Sequence, residues 1–228
     1  MQPGILTNAW FEQVVFDSLA WDIFARFLNL AICAGLLYLT YVHLTAMLDD
    51  GEVSGWQVVA AFLAIGNILI LAALATIRRR PVRRIHGLTQ RIVALCGTYL
   101  SMAMIAAPMH AASSLVVAVS LMLVFVGGCF QAWTYINLGR SWSLMAEARK
   151  LKTTGPYRYI RHPLYLAEEM PIVAIYLLNP TLVNTVILVA QIACQLQRMR
   201  YEERVLEEAF PEYREFRLTR ARIIPGLY

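Results

Sequence analysis

The stretch "PIVAIYLLNPTLVNTVILVAQIACQLQRMR", Pro171 to Arg200, decides the fold. It carries no charged residue from Pro171 to Gln197, and Asn179-Pro180 interrupts it near the middle. Asn-Pro favours a turn, and proline cannot donate to the helix ladder. A single kinked span would carry the tail to the far side of a bilayer. Two helices, each crossing half to two-thirds of it, would bring the tail back. The tail holds Arg198, Arg200, Arg204, Arg214, Arg217, Arg220 and Arg222. Cationic segments stay on the cytoplasmic side, so the hairpin is predicted.

The rest of the chain agrees with a membrane reading. Of 228 residues 59% are hydrophobic and 15% charged, with a mean hydropathy of +0.55. A soluble domain carries about 25% charged residues. Phe27–Leu48, Val58–Ile77, Ile92–Ala107 and Leu115–Leu138 contain no Lys, Arg, Asp or Glu. Most approach the roughly 17–25 residues that cross the hydrocarbon. The expected fold is an all-α integral membrane protein. Four transmembrane helices precede a helical hairpin and a cytoplasmic C-terminal helical segment.

Charge then orients the loops. "IRRRPVRRIHGLTQR", the stretch Arg140–Arg161 and the tail hold every Lys and Arg except Arg26. The loop "DDGEVSG" holds only acids, and "PMHAASS" holds no charge. The positive-inside rule predicts a multi-pass protein with both termini and the basic loops in the cytoplasm. The run Arg78–Arg84 is read as a topogenic loop rather than a nucleic-acid patch, so no nucleic acid is expected as a partner.

Cys33, Cys96, Cys129 and Cys194 each fall in an apolar segment without a CxxC pair, as small residues of helix packing do. His43, His86, His110 and His162 lack ligand spacing, and no metal is expected. Glu12, Asp17 and Asp22 interrupt the apolar start, which therefore does not read as a cleavable leader. Trp10, Phe11, Val14, Val15, Leu19 and Trp21 suggest a short interfacial helix.

Polar residues gather at one membrane face in three clusters. They are "LGRSWSLMAEARKLKTTGPYRY", "RHPLYLAEE" at the hairpin entrance, and "QRMRYEERVLEEAF" where its second helix leaves the membrane. Pro163 suits a first helical turn, after which Arg161, Tyr165 and Glu168 share a face. Arg198 and Glu202 are four apart on the exit helix, as are Arg204 and Glu208. Arginines can snorkel and tyrosines can form a belt. Carboxylates gain nothing from anionic headgroups, so Glu168 and Glu169 are harder to explain as anchors.

Together "LGRSWS", "TTGPYRYIRHPLYLAEEM" and "EERVLEEAFPEYREFRLTRARIIPG" resemble the isoprenylcysteine carboxyl methyltransferases, relatives of the phospholipid N-methyltransferases. The resemblance covers roughly residues 137–228, and the first two spans add nothing to it. It divides the chain into an N-terminal part, 1–136, and a methyltransferase core, 137–228, within one structural unit. It implies S-adenosyl-L-methionine as cofactor, bound at the cytoplasmic face under the C-terminal segment. A lipophilic methyl acceptor would enter between helices from the bilayer. Carried over by motif, Arg161, His162, Pro163 and Tyr165 line the cofactor pocket, with Leu166 and Ala167 against it. Glu202 and Glu203 match the paired acids, and Arg198 the basic residue before them. Ala167 stands where the family often has Gly, and Pro211 where Gly is usual.

The implied chemistry assigns roles. Arg161 suits the cofactor's carboxylate, and Glu202 or Glu203 its hydroxyl and amino groups. Arg198, or Arg200 in its place, would hold a prenylcysteine carboxylate, so Arg198 and Glu203 are the catalytic candidates. His162 would position cofactor. Carboxyl O-methylation of an isoprenylcysteine-like substrate leads this reading. The sequence leaves open an amine or thiol acceptor, a nicotinamide-dependent membrane reductase and a non-enzymatic scaffold. Oligomeric state is not fixed by any of these patterns.

Overall fold

The computed structural model describes residues 19–49, 55–85, 87–104 and 112–226. Most of the predicted interfacial segment, of the acidic loop after the first span and of "PMHAASS" lies outside them, while Leu19 and Trp21 belong to the first described helix. Seven α-helices are described: α1 (Leu19–Asp49), α2 (Gly55–Ile77), α3 (Leu88–Tyr99), α4 (Ser114–Leu138), α5 (Pro163–Leu178), α6 (Leu182–Ala209) and α7 (Tyr213–Thr219). Two strands of two residues, β1 (Arg83–Arg84) and β2 (Glu147–Ala148), pair antiparallel. Among the described residues four stretches, Asp22–Ala46, Gln57–Ile77, Ser114–Ser141 and Leu182–Ala209, are long and apolar enough to cross a bilayer. This is an all-α membrane protein.

The third span differs from expectation. The third run is α-helical only to Tyr99 and then tightens into a 3-10 helix, Leu100–Met104. At that point Gln191 Nε2 donates to the Gly97 carbonyl at 3.1 Å. In an α-helix the Ser101 amide would use that acceptor, so the side chain competes with the ladder. The hairpin's second arm, expected to be helical from Thr181 to Ala209, is helical over Leu182–Ala209. With 28 residues, α6 extends about 42 Å, whereas the 16 residues of α5 reach about 24 Å.

The hairpin turn falls at Asn179-Pro180. Thr181 Oγ1 accepts from the Asn184 amide at 3.1 Å, capping α6, and Asn184 Nδ2 donates to the Asn179 carbonyl at 2.8 Å. Such caps supply acceptors for amides that begin a helix without partners. The two arms lie antiparallel: His162 faces Glu203, Tyr165 faces Glu202 and Glu168 faces Arg198. Each arm also packs on another helix, α5 along α4 and α6 along α3. The α4–α5 contact is close. A Cβ on Gly127 would stand 2.8 Å from Met170 Cβ and 3.0 Å from Pro171 Cδ.

Two further devices position the linker between α4 and α5. Leu74 and Ala75 of α2, Tyr135 of α4 and Trp142 form a buried cluster that includes Leu164 at its edge. Arg83 and Arg84 of the basic loop pair in register with Ala148 and Glu147, which holds that loop onto the linker. The run read as topogenic thus also has a tertiary task.

Candidate functional site

The linker ends in a sharp turn at Gly155. Its φ of +60° favours glycine, and an added Cβ would lie 2.1 Å from Asn137 Oδ1. A 3-10 turn, Gly155–Arg158, follows and buries Tyr157. The C-terminal segment then joins the chain at Ile160–His162. Ile160 bridges Ala221, the Arg161 amide donates to the Ala221 carbonyl (2.9 Å), and the His162 amide donates to the Arg222 carbonyl (3.0 Å). Pro163 occupies the first turn of α5, where its lost N–H has no ladder partner to leave unpaired.

This docking gathers charge around Glu203. Its Oε1 lies 2.8 Å from Arg161 Nη1 and 3.0 Å from His162 Nε2. Arg222 donates to both carboxylate oxygens, from Nε at 3.0 Å and from Nη2 at 2.7 Å. The side chain is almost fully buried, and a carboxylate there requires such partners. Beside it, Tyr165 donates its hydroxyl to Glu202 Oε2 at 2.8 Å and meets the His162 ring edge-on.

One turn deeper, Arg198 lies over the Tyr165 ring, with Cζ 4.9 Å from the centroid. Arg198 Nη1 donates to Gln195 Oε1 (2.6 Å) and Nη2 to the Leu144 carbonyl (3.2 Å). Its acidic neighbour is Glu168 of α5, at 3.8 Å, which also accepts from Gln195 Nε2 at 3.1 Å. Beyond it, Gln191 Nε2 donates to Glu169 Oε1 at 2.9 Å. The acids at the hairpin entrance are therefore partnered from α6 and do not act as anchors.

These groups border a cavity of about 310 Å³. Its polar end has Tyr157, Arg161, His162, Tyr165, Glu202 and Arg198; its apolar end has Leu36, Ala64, Ile68 and Ile172. Every spanning helix contributes to the wall. Five of the nine residues expected from sequence line it: Arg161, His162, Tyr165, Arg198 and Glu202. Pro163, Leu166, Ala167 and Glu203 do not. Pro163 and Ala167 are fully buried in packing. Glu203 stands behind Arg161 and His162 and holds both. Arg200 is exposed and turned to Gln197, 3.3 Å away.

Several lining residues had not been expected. Glu147, Trp142, Gln131 and Tyr135 face the cavity beside Glu168, which the sequence had singled out, while Arg222 acts from behind. Uncharged polar residues at Asn184, Gln191 and Gln195, seven and four apart within an apolar arm, were a visible signal for the stripe of α6 that faces inward. Nothing local marked Glu147 or Arg222. Among the described residues no three of His, Cys, Asp and Glu gather as a metal-ligand set.

Residues 115–213 match the family model described as phospholipid methyltransferase. Two curated proteins are similar over part of the same length. The cobalt-zinc-cadmium resistance protein CzcN of Cupriavidus metallidurans is 34% identical over 96 residues, 40% of this chain and 44% of its own. The nickel-cobalt-cadmium resistance protein NccN of Alcaligenes xylosoxydans xylosoxydans is 31% identical over 99 residues, 41% of this chain and 46% of its own. The chain thus spans less than half the length of these curated relatives. The matched segment runs from α4 through the hairpin to Tyr213 and supplies most of the cavity's polar end. Over residues 115–213 the chain is thus similar to the phospholipid methyltransferase family, the membrane methyltransferases that include the isoprenylcysteine carboxyl methyltransferases.

Proposed function

We propose that the protein transfers a methyl group from S-adenosyl-L-methionine to the polar head of a lipophilic acceptor at the membrane boundary. The observation that carries this reading is the cavity's two-ended character. Cations, acceptors and aromatic rings border one end, and aliphatic side chains from three helices border the other. At about 310 Å³ it falls in the usual range for a small-molecule site.

The residues fit such a cofactor. Arg161 Nε is buried without a hydrogen-bond acceptor, although the guanidinium is anchored on Glu203. It is therefore a fixed donor suited to a carboxylate. Glu202 offers carboxylate oxygen to hydroxyl or amino groups, and Tyr165 fixes its orientation. His162 is held at Nε2 by Glu203, with Nδ1 3.8 Å from Glu202, so it shapes the pocket between them. The cofactor supplies an activated methyl on a sulfonium, whose departure needs no acid. The chain's remaining task is alignment in a dry cavity, to which the buried walls contribute.

For the acceptor, carboxyl O-methylation of an isoprenylcysteine-like substrate rests on Arg198, the cation nearest the apolar half. A second reading, an amine acceptor such as a phospholipid head, rests on Glu168. That carboxylate lines the cavity and already offsets the Arg198 charge. It is placed to accept a proton from an ammonium. The test is calorimetric titration of the detergent-purified protein with S-adenosylhomocysteine, wild type beside Arg161→Ala. Saturable binding that the variant loses supports the cofactor site; no binding by folded wild type removes it. Farnesylcysteine analogues and phosphatidylethanolamine then separate the two acceptor readings.

A further inference from the structure

The cavity wall away from the charged groups is not purely aliphatic. Asn67 of α2, Ser101 of the 3-10 turn after α3 and Gln131 of α4 also line it. Three separate elements thus each bring one uncharged polar residue to the same space. Within a bilayer a polar group without a partner is costly, because no bulk water is at hand to satisfy it.

The hydrogen-bonding capacity of these residues is only partly used. Asn67 Nδ2 donates to the carbonyls of Leu63 (2.9 Å) and Gly128 (3.2 Å), while its Oδ1 is buried with no donor. Gln131 Nε2 donates to the Tyr135 hydroxyl at 3.2 Å, and its side-chain carbonyl takes no donor among the described residues. Ser101 is 8% exposed and borders the cavity. A helical serine can turn its hydroxyl onto the carbonyl four residues back. Here that carbonyl, of Gly97, already accepts from Gln191 Nε2. The Ser101 hydroxyl meets no partner among the described residues.

The position of Ser101 along the cavity can be gauged. A Cβ added at Gly97 would stand 2.7 Å from Arg198 Cδ, so Gly97 marks the level of the Arg198 stem. Ser101 follows four residues later, across the change from α-helix to 3-10 helix, which puts it about 6–8 Å beyond that level. This is about the length of a hexyl chain.

We propose that the methyl acceptor is a compact lipophile with a hydroxyl group at its far end, about a hexyl chain from the atom that takes the methyl. A hydroxyl both donates and accepts, so one such group serves the Ser101 hydroxyl and the Gln131 or Asn67 carbonyl together. A purely hydrocarbon prenyl or acyl chain serves none of them. The inference rests on the methyltransferase reading and narrows its acceptor. Which atom is methylated is decided near Arg198 and Glu168; Asn67, Ser101 and Gln131 recognise the other end.

Matched pairs test this with the detergent-purified full-length protein and labelled S-adenosyl-L-methionine. They are ω-hydroxyhexanoate beside hexanoate, ω-aminohexanol beside hexylamine, and ω-mercaptohexanol beside hexanethiol. A site built to hydrogen-bond a hydroxyl discriminates against the analogue lacking it. In at least one pair the hydroxylated member is therefore expected to have a kcat/KM higher by roughly tenfold or more. Ser101→Ala and Gln131→Leu each remove one partner and should bring the two members close to equality. Equal or reversed use of every pair by wild type would mean that water serves these residues, and would overturn the inference. Transfer to none of the compounds by a protein that binds S-adenosylhomocysteine would also overturn it, as would a preference unchanged in both variants. Calorimetry with S-adenosylhomocysteine on the same preparation separates the two failures: no binding by folded wild type removes the methyltransferase reading, and this inference with it. The wild-type preference decides alone if a variant does not fold.

Discussion

Arg222 grips Glu203 through both carboxylate oxygens, at 3.0 and 2.7 Å, and so joins the last described segment of the chain to α6. Glu203 in turn holds Arg161 and His162. Through Glu203 the C-terminal segment therefore helps to fix Arg161 and His162, two residues of the cavity wall.

Removing one partner of a buried ion pair costs about 3–5 kcal/mol because the other is left uncompensated. Arg222 is part-exposed, so a smaller loss is expected at this site. Arg222→Ala should weaken S-adenosylhomocysteine binding about tenfold, equivalent to about 1.4 kcal/mol. It should also expose the segment after Thr219 to limited proteolysis. Unchanged affinity by calorimetry would show that closure and binding are uncoupled.

Tyr165→Phe deletes the hydroxyl that orients Glu202 and leaves the ring beneath Arg198 in place. A hydrogen bond to a charged group contributes about 1.5–3 kcal/mol. The variant should lose roughly tenfold to a hundredfold in kcat/KM. Steady-state kinetics on whichever acceptor proves active measures this. Full activity would remove Glu202 orientation from the account.

At Gly97 an added Cβ would meet Arg198 Cδ at 2.7 Å and Gln195 Oε1 at 3.2 Å. Gly97→Ala should push Arg198 off its place and cost about 1–3 kcal/mol by overpacking. Turnover should fall while S-adenosylhomocysteine binding, which depends on the Arg161 end, persists. Gly66→Ala is the matched control, since nothing lies within 4 Å of its added Cβ. Equal behaviour of the two variants would contradict the close approach of α3 to α6.

Tyr157 gives a pH prediction. Burial first, then the negative charges of Glu202 and Glu168, raise its phenol well above the usual 10.0. The folded protein keeps a proton that the unfolded chain releases, so stability is fully present below about pH 10 and falls as pH rises beyond it. Tyr157→Phe should flatten this alkaline loss. Unfolding midpoints measured from pH 8 to 11 check it; parallel curves for the two proteins would assign the loss to other groups.

The membrane class, the turn at Asn179-Pro180 and the polar face were legible because each depends on local composition or spacing. Long runs without charge fix the solvent of a helix, and Asn-Pro interrupts a ladder wherever it stands. Arg161, His162, Tyr165, Arg198 and Glu202 were legible as a group through a motif resemblance, and they line one cavity. The shortened α3 was not legible. Its run is as apolar as the others, and the Gln191 amide that meets Gly97 comes from far along the chain.

What the sequence determined, then, is which segments leave water, where the hairpin turns and which end of it carries charge. These follow from transfer free energy and backbone chemistry, which act over a few neighbouring residues. Only the tertiary structure decided who pairs with whom. Spacing placed Glu202 four residues from Arg198, yet the acid nearest Arg198 is Glu168 on the opposing arm. Glu203 is a clamp behind the cavity, held by an arginine from the tail, and Glu147 arrives from the linker through a two-residue strand. Such partners are set by the register of antiparallel helices and by packing between distant segments, to which periodicity within one helix is blind.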